Sequence, residues 1–127
     1  MILYKATLRL GIHDCDINIY LVDKVINGLQ DLSLPWEDGD INIDGICLTY
    51  KGKMYILVEN GSVERRQTLL HECLHAVNQI WNSYEATLDL GNDEIYVREV
   101  SYLQEFALKI IDSYDNDQAI KNENNSN

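Results

Sequence analysis

The apolar residues change their spacing once along this chain, at Asn60-Gly61, and that change constrains the fold class more than any other feature. Before it the spacing suits extended strands, and after it, helices. In residues 1–10, Ile2, Tyr4, Ala6, Leu8 and Leu10 fall on one side of a strand. Ile17 to Val22 form a second extended candidate. Leu34 to Asp40 hold the only proline, Pro35, and have the composition of a surface connector. Ile41 to Tyr50 and Met54 to Val58 flank Lys51-Gly52-Lys53, and a glycine-centred loop between two β-rich runs predicts a hairpin.

Beyond Asn60-Gly61 the apolar positions recur every ~3.6 residues. Ser62 suits an N-cap and Glu64 a first turn, so a helix is expected from about Val63 to Trp81. Residues 84–90 form a connector without an assigned structure. A second helix is expected from near Asp93, capped by Asn92 or Asp93, to about Ile111. Strands first and helices afterwards predict an α+β domain with a short antiparallel sheet. The chain length suits one domain, residues 1–114, and the polar segment 115–127 is expected to be a disordered tail.

The formal net charge of −11 argues against nucleic acid or an anionic membrane as the main partner, because both require clustered Lys and Arg. Arg65-Arg66 is the one basic cluster that stands out. No apolar run approaches the ~20 residues that span a bilayer. The first residues lack the pattern of a signal peptide. Cys15, Cys47 and Cys73 are sparse and odd in number, which suits a reducing compartment, so a cytoplasmic protein is expected.

His71-Glu72-Cys73-Leu74-His75 is the motif that carries chemistry. Histidines at i and i+4 lie one above the other on a helix face and can reach a single tetrahedral zinc at ~2.0–2.1 Å. The glutamate between them can take a proton from an attacking water and pass it to a leaving amine. At 100° per residue, Val63, Leu70, Leu74, Val77 and Trp81 cluster on one side, extended by Leu69, Cys73 and Ile80. His71 and His75 fall outside that arc, with Thr68, Glu72 and Gln79 on the same polar flank. One face can therefore pack while the other presents ligands. A catalytic zinc takes a third protein ligand. Ala76 to Trp81 supply neither Gly nor His, so it must come from elsewhere. Glu94 and Glu99 both flank the apolar arc of the second helix, and spacing does not separate them.

The stretch Glu64 to Asn78 resembles the active helix of ImmA/IrrE-like metallopeptidases, above all the short versions common in phage and prophage genomes. The resemblance covers roughly residues 41–111. Glu94-Ile95-Tyr96-Val97-Arg98-Glu99-Val100-Ser101 is similar to the family's Glu-led pattern, and the resemblance favours Glu94 over Glu99 as third ligand. It implies a zincin-like domain with one Zn²⁺ held by His71, His75 and Glu94, and Glu72 as general base. It also implies hydrolysis of a peptide bond in a protein or peptide substrate, a regulator being the first guess. A metal-stabilised interaction protein without turnover is the competing expectation. The oligomeric state is left open.

Other residues have simpler readings. His13-Asp14-Cys15-Asp16 offers a His-x-Cys pair, but its composition is that of a polar turn between strands. Cys73 and Cys47 suit small buried positions better than thiol ligands. Thr68 and Asn78 are placed to orient a ligand, or are simply solvated. Met54 to Val58 is a candidate sheet edge beside the helix, where an extended peptide would pair.

Overall fold

A computed structural model describes residues 1–10, 13–83, 91 and 93–125. The expected connector 84–90 and the candidate cap Asn92 lie outside the described residues. The elements are β1 (Ile2–Leu10), β2 (Cys15–Val22), α1 (Val25–Asp31), a 3₁₀ turn (Asp38–Asn42), β3 (Gly45–Tyr50), β4 (Lys53–Glu59), α2 (Arg65–Ser83) and α3 (Asp93–Asn125). The fold is α+β, with a four-stranded sheet in the order β1-β2-β4-β3.

The sheet is mixed, which corrects the antiparallel expectation. β1–β2 and β3–β4 are antiparallel, but β2 and β4 run parallel, with Ile19 opposite Ile56. The two inner strands are covered on both faces, which explains the nearly unbroken apolar run Ile19 to Val22. Ile17, Ile19, Leu21, Met54, Ile56 and Val58 point into the main core under α2 and α3. Tyr20, Val22 and Leu57 point the other way, against Val25, Leu29 and Leu34. The β3–β4 hairpin closes on Lys51 and Gly52, with φ of 50° and 77°. Two positive values at the centre of a two-residue loop match the twist of the flanking strands.

The sequence reading did not anticipate α1. A Cβ added at Gly28 would lie 2.7 Å from Val22 Cγ1 and 2.8 Å from Leu57 Cδ2, so only glycine lets α1 sit this close to the sheet.

In α2, Ser62 Oγ accepts a hydrogen bond from the Glu64 amide at 3.2 Å, satisfying an otherwise orphaned donor before the first turn. α2 and α3 are antiparallel. Trp81 meets Glu99, Leu70 meets Gln104, and Arg66 meets Asp112, so α3 numbers rise as α2 numbers fall. α3 is ~50 Å long at ~1.5 Å per residue. It continues to Asn125, past both the expected helix end near Ile111 and the expected boundary at Tyr114. Tyr114 packs edge-on against Tyr4, and Asp115 pairs with Arg65. No glycine or proline interrupts Asp93 to Asn125, so nothing in the backbone breaks the helix there. No helix among the described residues is long and apolar enough to cross a membrane.

Candidate metal centre

The i, i+4 spacing on α2 brings the His71 and His75 rings to a centroid distance of 4.5 Å, edge to face. Their Nε2 atoms are 2.9 Å apart. Two nitrogens on one tetrahedral zinc at ~2.0–2.1 Å would be ~3.3 Å apart. The pair is within a few tenths of an ångström of that geometry, and both rings offer the same nitrogen to one point. At that distance one Nε2 can donate its hydrogen to the other.

Glu72 is only 8% exposed. Burial pushes its carboxyl above the ordinary glutamate range, against the pull of His75 and His71. β3 crowds it from one side. A Cβ at Gly45 would lie 2.5 Å from Thr68 Cγ2 and 3.3 Å from Glu72 Cγ. The strand can approach because residue 45 has no side chain. Cys73 is fully buried and Cys47 half-buried. Burial, and then the charge of Glu72, push both thiols up to about 12. Such thiols stay protonated and make poor metal ligands at neutral pH.

The two candidate third ligands are held apart from this pair. Glu94 is on the outside of α3, its side chain 74% exposed, and accepts from Arg98 Nε at 3.1 Å. Glu99 points inward and is 8% exposed. Its Oε1 accepts from Trp81 Nε1 at 3.0 Å, and its carboxylate meets His13 Nε2 at 2.8–3.0 Å. The structure therefore brings together His71, Glu72 and His75. Among the described residues, no three His, Cys, Asp or Glu side chains form a group arranged to hold a metal.

His13 sits in the turn region before β2, but its ring is largely buried on Glu99, 86 residues away, rather than solvated. Sequence reasoning missed this pair. The available signal was Glu99 itself, which falls between Phe106 and Ile110 on the apolar arc of α3 at ~100° per residue. A carboxylate inside an apolar stripe demands a buried partner. Of the two polar residues noted on α2, Thr68 touches β3 at Gly45, and Asn78 Oδ1 accepts from Tyr96 OH at 2.5 Å.

Met54 to Val58 is not a sheet edge. β4 is paired on both sides, and the edge beside α2 is β3. The Tyr50–Lys53 pair closes a two-residue hairpin, so Gly45, Cys47 and Thr49 turn their backbone groups outward. Gln79 of α2 reaches this edge, donating to the Cys47 carbonyl at 3.5 Å and accepting from Thr49 Oγ1 at 3.1 Å. A cleft of about 370 Å³ opens past Gln79, between Thr49, Ser83 and the His13–Asp16 turn. It does not include His71, Glu72 or His75. Compared with known proteins, the chain matches no family model, no curated sequence and no solved structure.

Proposed function

We propose that this chain is a zinc-dependent metallopeptidase of the ImmA/IrrE-like, zincin-like kind, hydrolysing a peptide bond in a protein substrate. The observation that carries the reading is the 2.9 Å convergence of the His71 and His75 Nε2 atoms beside the buried Glu72. The donor chemistry fits zinc. Two imidazoles are in place, and Glu94 is the carboxylate that would join them by releasing Arg98, an exposed i, i+4 partner worth only ~0.3–0.5 kcal/mol. When bound, zinc would supply Lewis acidity to a carbonyl and to water. Glu72 is the proton carrier. Its buried carboxyl, raised above the ordinary range, accepts a proton more readily than a solvated one would. It takes that proton from the attacking water and returns it to the departing amine. The outer edge of β3 runs past Glu72 at Gly45, where an extended peptide would pair, with Gln79 engaging the same edge further along at Cys47. A regulator-type cytoplasmic protein is the first substrate to test.

The exposure of Glu94 and its pairing with Arg98 favour a second reading, a metal-stabilised interaction protein without turnover.

Elemental mass spectrometry on purified wild type and on His71→Ala/His75→Ala tests the metal. About one zinc per wild-type chain, lost in the double variant, is expected. Glu72→Gln separates the two readings. It should keep the zinc and lose hydrolysis of quenched-peptide pools. Zinc without any wild-type turnover would leave the interaction protein standing, and no zinc would remove both.

A further inference from the structure

On the stripe of α2 that carries the two histidines, Asn78 has its amide oriented by a hydrogen bond from α3. At ~100° per residue, His71, His75 and Asn78 fall within about 60° of one another. Asn78 is three residues beyond His75, which places their Cβ atoms ~5–6 Å apart. Tyr96 of α3 donates its hydroxyl hydrogen to Asn78 Oδ1 at 2.5 Å. That bond turns the other end of the amide, Nδ2 with its two hydrogens, away from Tyr96. Among the described residues Nδ2 has no hydrogen-bond partner.

Tyr96 is itself immobilised. Its ring stands edge-on to Trp81, with centroids 5.5 Å apart and planes at 89°. Trp81 is fixed by Nε1 donating to Glu99, and Glu99 by His13 from the β1–β2 turn. A continuous chain of contacts thus runs from the β1–β2 turn to the Asn78 amide. Cross-linking α2 to α3 would need only the Oδ1 contact. With Oδ1 engaged, the Nδ2 hydrogens are left for another acceptor, and a donor on the histidine stripe is what a site for a developing negative charge requires.

We infer that Asn78 is a catalytic hydrogen-bond donor to the substrate's carbonyl oxygen, and that Tyr96 is the positioning residue that orients it. This rests on the metallopeptidase reading above. The amide would strengthen its hydrogen bond as charge gathers on that oxygen and would make no covalent change.

The test uses the full chain loaded with Co²⁺, whose visible absorption reports both metal occupancy and the binding of acetohydroxamate, a small oxygen-donor probe. Wild type, Asn78→Ala and Tyr96→Phe are compared at equal metal occupancy, and turnover of quenched-peptide pools is read on the zinc forms. Asn78→Ala is expected to bind metal normally, to weaken acetohydroxamate ~10-fold, and to lower kcat ~100-fold with little change in KM. Tyr96→Phe keeps the ring on Trp81 and should show a smaller loss in the same direction. A merely structural bond would shift melting in both variants and leave probe affinity and kcat alone, which would overturn the proposal. Wild type that takes up no metal would instead overturn the metallopeptidase reading, and this proposal with it.

Discussion

The indole Nε1 of Trp81 donates a 3.0 Å hydrogen bond to Glu99 Oε1, joining the last turns of α2 to the second turn of α3 inside the core. The same carboxylate receives His13, so one buried acid serves two donors from different parts of the chain. Glu99→Ala would remove the acceptor that both share. The expected loss is ~3 kcal/mol, because the buried Trp81 indole N–H and the part-buried His13 ring lose this carboxylate at once. Glu99→Gln retains an acceptor and should lose ~1 kcal/mol. Urea unfolding of the three proteins measures this. Equal midpoints for Ala and wild type would show that the pair contributes nothing.

Gly45 sets how closely β3 approaches the histidine helix. Gly45→Ala should destabilise by ~1–3 kcal/mol, the cost of overpacking, because the new methyl meets Thr68 Cγ2 at 2.5 Å. Thr68→Ser removes that Cγ2 atom. The double variant should recover most of the loss, and a purely additive pair would refute the clash as the cause.

Metal should report on folding. Chelation is expected to lower the melting temperature of wild type and leave His71→Ala/His75→Ala unchanged. Ligand present at ~1,000 times its Kd adds ~4 kcal/mol to the native state. Calorimetric scans with and without EDTA decide it. An identical shift in the double variant would place the bound metal elsewhere.

The metal-free protein should become less stable as pH rises out of the acid range. Burial raises the Glu72 pKa in the folded state above its unfolded value, ~4.3 for an ordinary glutamate. Between those two values the folded chain holds a proton that the unfolded chain has released. The contribution is therefore fully present below the unfolded pKa and is lost as pH rises through the folded one. Melting temperatures from pH 4 upward, wild type against Glu72→Gln in EDTA, should show a falling component that the variant lacks.

The sequence disclosed the strands and helices because their periods differ, and it placed His71, Glu72 and His75 on one helix flank because i, i+4 spacing leaves little choice. Other features depend on partners that spacing does not name. The β2–β4 seam is parallel, and the apolar run Ile19 to Val22 marks a strand covered on both faces without giving its direction. α1 has seven residues, an interior Gly28 and no side-chain cap, so it carries almost no local signal. The end of α3 has a tail's composition, yet its junction with the domain is fixed by Tyr114 on Tyr4 and Asp115 on Arg65. Glu94 and Glu99 lie ~140° apart around α3. Glu99, between Phe106 and Ile110, is buried on Trp81 and His13, and Glu94 faces solvent.

The parallel seam has a consequence for how the chain acquires its shape. β1–β2 and β3–β4 are each local hairpins that can form early and independently. The contact joining them pairs residues 37 positions apart, such as Ile19 and Ile56. Closing that loop costs chain entropy before any apolar burial repays it, so docking of the two hairpins should be the slow step of folding. Substitutions along the seam should retard folding, whereas those within either hairpin alone should chiefly hasten unfolding.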